Sequence, residues 1–210
     1  MKLHYHRLIT TQALEKHISP AGLKSIIAAN FGQDSFRYQF GHDHFHYDGS
    51  SFPAGDAYIE GQRRLISDAL ARGEALPAWQ AFGRLAHAIQ DFYAHSNYVT
   101  LWRERHPAEM PDQIHPLLVE ALSDSRLHSG RLYYPLEILT FVPALQALVL
   151  PFLPRNSHAW MNKDDPSRPD FDFAYMAAVK RTELEFQNMI RSLAPGQAAL
   201  FAGKLVNPKS

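Results

Sequence analysis

The 210-residue sequence predicts an all-α fold, a helical bundle in one domain spanning residues 1–210. Three observations carry that expectation. Apolar residues recur at spacings of three and four, the period of a helix face. Proline, serine or aspartate repeatedly stands where a helix would begin. No repeat, low-complexity tract or Ser/Gly linker divides the chain. Hydrophobic residues make up 46% and charged residues 20%, enough apolar mass for one core.

Helices are expected over 8–16, 21–30, 54–71, 78–98, 112–123, 136–150 and 172–193, with a short one over 195–201. Ser19 and Pro20 form a cap and first-turn pair for the second, and Ser51 and Pro53 mark the entrance of the third. Arg72 and Gly73 stop that third helix. Residues 31–52, rich in aromatics, His and Asp, and 151–169, rich in Pro, Asp and Asn, read as ordered loops. The most apolar stretch, 136–153, contains Glu137, Pro143, Gln146 and Pro151, which argues against a bilayer-spanning helix. It reads as a core helix, with an exposed lipid-contacting loop as the alternative. The opening MKLHYHRLIT lacks the apolar run of a secretory signal, so a cytoplasmic location is the default expectation.

Lys+Arg and Asp+Glu balance at 21 each, which removes any bulk electrostatic reason to expect a polynucleotide partner. With no cysteine there is no disulfide framework and no thiolate site, so a metal would have to be held by His, Asp and Glu. The 12 histidines are therefore the feature to follow.

The sharpest pattern is His87-x3-Asp91-x3-His95. Residues four apart lie on one helical face, about 6 Å apart along the axis, so the three side chains address one volume. With 12 His and 12 Asp in the chain, such a pattern arises by chance roughly 0.04 times. Apolar Leu85, Ala86, Ile89, Phe92 and Tyr93 flank it, so Asp91 is expected to be buried, where a cation would offset its charge. A second cluster, His42-Asp43-His44-Phe45-His46-Tyr47-Asp48, follows Asp34. In an extended segment the alternation would put His42, His44, His46 and Asp48 on one side. His6 and His4 stand before the first helix, and His158 with Asn162, Lys163, Asp164 and Asp165 precedes the last long one.

Five segments together resemble the zinc-dependent phospholipase C superfamily, particularly its branch similar to heterokaryon incompatibility protein C. His6-Arg-Leu-Ile-Thr10 resembles the family's H-x-x-I-T entry, and Ala29 to Asp34 its aspartate before the metal loop. His46-Tyr47-Asp48 resembles H-F-D, and Gly83-Arg-Leu-Ala-His87 through His95-Ser96-Asn97 resembles its metal-binding helix. His158 with Asn162-Lys163-Asp164 is similar to a later H…N-K-D loop. The resemblance implies a phospholipase C/nuclease-type bundle with long metal-binding loops, enclosing two to three zinc ions. His6, Asp34, His46, His87 and Asp91 would hold two of them, with Asp91 as a bridge, and His95, His158 and Asp164 the third. The family's amino-terminal ligand has no readable counterpart, and His4 is the substitute at hand.

The implied activity is hydrolysis of a phospholipid or related phosphodiester by zinc-activated water, with Asp34 as metal ligand and catalytic proton acceptor. Asp48 and Asn97 are candidates to orient His46 and His95. Contact with a membrane surface is an alternative the apolar stretch leaves open, and nucleic acid is the less expected substrate. Two alternatives stay open: a single-strand nuclease stacking bases on Tyr47, Tyr93, Tyr98 and Trp102, and a metal-stabilised interaction or toxin-related module without turnover.

Overall fold

The computed structural model describes residues 1–35, 38 and 41–203. The predicted loop over 31–52 therefore lies in part outside the described residues. The described residues are mostly helical, and pairing between extended segments is confined, among them, to isolated bridges at Ser96–Ser129 and Arg131–Ser157. The α-helices are α1 (Leu3–Leu14), α2 (Pro20–Gly32), α3 (Asp43–His46), α4 (Phe52–Ala71), α5 (Ala75–His95), α6 (Tyr98–Arg105), α7 (Val119–Leu122), α8 (Pro143–Val149), α9 (His158–Met161), α10 (Phe171–Ser192) and α11 (Pro195–Phe201). Among these described helices none is long and apolar enough to cross a membrane.

Helix α5 is the axis of the fold. It packs against α2, α4 and α10, while α1 lies on α2 and α10. Alanines and large apolar residues alternate around α5, so it can be buried on nearly every side. Gly83 sets the closest approach: a Cβ there would stand 2.3 Å from the Ile26 carbonyl oxygen of α2. The Ser19 hydroxyl accepts from the Gly22 amide and Pro20 occupies the first turn of α2, as the sequence predicts.

Several expected elements end elsewhere. Helix α1 begins at Leu3 rather than residue 8, which places His6 inside the helix on the face shared with Ile9, Thr10 and Ala13. The helix expected over 78–98 stops at His95, because Ser96 is extended and the Asn97 side chain is captured by the 126–128 loop. The helix expected over 112–123 is replaced by a 3-10 turn at Pro111–Gln113 and the single turn of α7. Pro116 interrupts it, and the His115 and Pro116 carbonyls instead accept from the Tyr98 and Tyr93 hydroxyls at 2.6 and 2.5 Å.

The helix expected over 136–150 is likewise broken, into a 3-10 segment Leu136–Phe141 and α8, with Pro143 at the break. Val149 and Leu153 are buried against Ala159, but Leu148 is 67% and Phe152 77% exposed. This segment is thus a largely exposed apolar surface and not the core helix expected. His42 to Asp48 is not extended either: α3 forms a single turn, and Tyr47, Gly49 and Ser50 follow in left-handed conformations.

Candidate metal centre

Two groups of His and Asp side chains converge where α5 meets α1, α3 and α9, and each could hold a metal ion. In the first, ligand atoms of Asp34, His46, His87 and Asp91 lie within 4.8 Å of one another; in the second, those of Asp48, His95 and His158 do. His87, Asp91 and His95 share one face of α5, as their spacing requires. The left-handed turn at Tyr47 divides its neighbours, sending His46 to the first group and Asp48 to the second. Tyr47 can sit there because α4 offers Gly55, where a Cβ would lie 2.6 Å from its ring.

In the first group, His46 Nδ1, His87 Nε2 and Asp91 Oδ2 form a triangle with edges of 2.9, 3.0 and 3.1 Å. The His46 Nδ1–H can donate to Asp91 Oδ2, but His87, whose Nδ1 faces the Asn30 carbonyl oxygen, then turns an Nε2 lone pair toward that same carboxylate oxygen; a cation among the three atoms would offset that repulsion. Asp91 turns its other oxygen elsewhere: Oδ1 is 3.2 Å from His6 Nε2 and 2.6 Å from the Met1 nitrogen. Among the described residues the His6 Nε2 atom has no hydrogen-bond partner at that distance. Asp34 stands at the rim, 23% exposed, 3.7 Å from His87 Nε2 and 3.9 Å from His6 Nε2.

In the second group, His95 Nε2 is 3.2 Å from His158 Nε2 and 3.3 Å from Asp164 Oδ1, while its Nδ1 is 3.3 Å from Asp48 Oδ1. Asp48 Oδ1 and Asp164 Oδ1 are buried with no hydrogen-bond partner among the described residues. The strand-like strap 129–131 builds this group. Gly130 donates to the His95 carbonyl and accepts from Gly49, and Arg131 accepts from the His158 amide. A Cβ at Gly130 would lie 2.6 Å from His158 Cα, so only glycine allows the strap so close.

Two residues that sequence reasoning missed set the imidazole tautomers. Gln90, fully buried, donates its amide to Thr10 and Thr182, which leaves its carbonyl oxygen to accept from His6 Nδ1 at 2.7 Å. Asn30 donates to that same oxygen and accepts from His87 Nδ1 at 3.3 Å. Both histidines therefore carry their protons on Nδ1 and turn an Nε2 lone pair to the centre, the ligand form. The signal was present: polar, amide-bearing residues beside metal-type ligands in otherwise apolar helices.

Burial pulls the His87 pKa down to about 4, leaving it neutral at neutral pH. Burial opposes charge on His95 too, but Asp91, Asp48 and Asp164 overcome it and raise that imidazole to about 10. Burial likewise works against ionised Asp91 and Asp164, yet the surrounding positive groups hold both carboxyls well below the usual range. The pocket is thus built around negative charge, and protons stand in it where a cation would.

All eight residues singled out from the sequence as ligands, His6, Asp34, His46, His87, Asp91, His95, His158 and Asp164, lie in this one cluster. Other assignments need correction. His42 and His44 pack among Tyr38, Phe45 and Tyr58, and His4 is exposed beside Tyr5, so none of the three enters the centre. Asp48 faces His95, and Asn97 serves the 126–128 loop without touching His95. Tyr47, Tyr93, Tyr98 and Trp102 are all core residues, too buried to stack on bases.

Residues 6–114 match the VWA7 N-terminal domain family, a span that contains every α5 ligand candidate together with His6, Asp34, His46 and Asp48. Over 88 residues the chain is 35% identical to von Willebrand factor A domain-containing protein 7 of Rattus norvegicus. That match takes in 41% of this chain and 10% of the relative, so it concerns a small part of that protein. No solved structure matches the chain. Since the family match spans more than half of the sequence, the chain belongs to the VWA7 N-terminal domain family.

Proposed function

We propose that the protein is a zinc-dependent phosphodiester hydrolase of phospholipase C type. One observation carries the reading: the two oxygens of buried Asp91 face different sets of imidazoles, Oδ2 toward His46 and His87 and Oδ1 toward His6. A carboxylate so placed suits a bridge between adjacent ions. The donor set, imidazole nitrogen and carboxylate oxygen without thiolate, fits zinc. Asp34, His6, His46, His87 and Asp91 would hold two ions, and His95, His158 and Asp164 a third, with Asp48 as a further donor.

When bound, zinc offsets the charge of a phosphodiester and makes water a stronger acid near neutral pH. The chain's own residues supply the rest. Asp34 is the more accessible of the two carboxylates of the first group, and it would take a proton from attacking water at the rim. Gln90 and Asn30 keep two imidazoles in ligand form. Lys163 donates to the Ser96 and Met161 carbonyls, and its own amide donates to Ala94, which pins the Asp164 loop to the end of α5. A lipid substrate is favoured by the exposed Leu148 and Phe152, on a segment whose buried side packs against Ala159, next to His158.

The test is zinc per chain by elemental analysis, then hydrolysis of a chromogenic phosphodiester with and without chelator. Two or three zincs with chelator-sensitive turnover support the proposal. Zinc without hydrolysis of soluble or vesicle substrates points to the non-catalytic module, and no zinc after incubation overturns the reading.

A further inference from the structure

On the side of α5 away from the His/Asp cluster, a cavity of about 280 Å³ opens between α4, α5, the 117–127 connection and α10. It is nearly twice the roughly 150 Å³ that encloses a benzene ring. Its walls are apolar and aromatic, among them Tyr47, Phe92, Ile89 and Leu127, with two charged residues, Asp56 and Arg181. The Asp56 carboxylate accepts from the Tyr47 hydroxyl at 2.7 Å.

Arg181 is left short of acceptors. Its Nη2 reaches Glu185 Oε2 at 3.2 Å, but Arg63 already grips that carboxylate with two bonds of 2.7 and 2.9 Å. The Arg181 Nε–H is buried and has no hydrogen-bond partner among the described residues. One carboxylate thus serves two guanidiniums, and a buried donor faces a desolvation penalty that an anionic oxygen would remove.

We propose that this cavity is a second binding site, independent of the metal centre, for a small monocarboxylate with an aromatic or short aliphatic body. The carboxylate completes the Arg181 guanidinium, and the apolar body fills the space between Phe92 and Leu127. Isothermal titration with 3-phenylpropionate and its neutral amide tests this. The acid is expected to bind with a Kd on the order of 0.1–1 mM, about tenfold tighter than the amide. Arg181→Met should erase that preference while leaving amide binding unchanged. Leu127→Trp, which fills the cavity from a partly buried position, should abolish both, with the urea midpoint and circular dichroism as checks that the fold persists. Equal binding of acid and amide to the native protein, no binding up to about 10 mM, or binding that survives Leu127→Trp would each overturn the proposal, the last by placing the acid outside this cavity.

Discussion

Replacing Gln90 tests whether the buried amide network prepares the ligands. Gln90 makes four side-chain hydrogen bonds, to His6, Asn30, Thr10 and Thr182, at 2.7, 3.1, 3.1 and 3.2 Å. Gln90→Met keeps the volume and removes all four. Two buried donors, His6 Nδ1–H and the Asn30 amide, then lose their acceptor, at about 1–3 kcal/mol each. Thr182 still donates to the Ala178 carbonyl, so its loss is smaller. A total of about 3–4 kcal/mol is expected, read as a lower urea midpoint. Zinc affinity should fall about 10–100-fold, because His6 is freed to move its proton to Nε2. Gln90→Glu separates the two effects: it still accepts from His6 and Asn30, and the Thr10 hydroxyl can turn to donate. Zinc competition against a chromogenic chelator should place Gln90→Glu near the parent and Gln90→Met well below it. If both variants held zinc like the parent, the tautomer reasoning would be wrong, whatever their stability.

Asp91→Asn should lower bound zinc and hydrolysis together, and full zinc with normal turnover would remove Asp91 from the centre. Gly130→Ala forces the strap away from His158 and should cost about 1–3 kcal/mol in denaturant unfolding while lowering zinc occupancy by about one ion per chain. In metal-free protein, His95 is raised to about 10 from an unfolded value near 6.5. Its contribution is fully present below 6.5 and is lost as pH rises toward 10, so the urea midpoint of the chelated protein should fall across that window. Zinc, which replaces the proton, should flatten the slope, and a slope indifferent to zinc would contradict this. Leu148→Asp with Phe152→Asp, both highly exposed, should leave the urea midpoint and soluble-substrate turnover unchanged while reducing vesicle hydrolysis about tenfold; equal loss on both substrates would argue against lipid contact.

Local rules account for what was legible in the chain. Helical period and caps are set by residues three or four apart, so α2, α4, α10 and α11 could be read closely, and so could the shared face of His87, Asp91 and His95. The same locality explains the errors. Pro116 and Pro143 break patterns whose apolar spacing continues past them, and the alternating run from His42 reads as extended until a left-handed Tyr47, seated on Gly55, turns it. What only the tertiary structure decided depends on contacts far apart in sequence. Gln90 acquires its role from Thr10 and Thr182, Asp48 meets His95 through the Gly130 strap, and Arg181 is left to share the Glu185 carboxylate that Arg63 holds with two bonds. Sequence spacing determined which side chains could converge along one helix. Packing of distant segments decided which atoms face one another and which buried donors remain unpaired, since hydrogen bonding and desolvation are settled within a few ångströms.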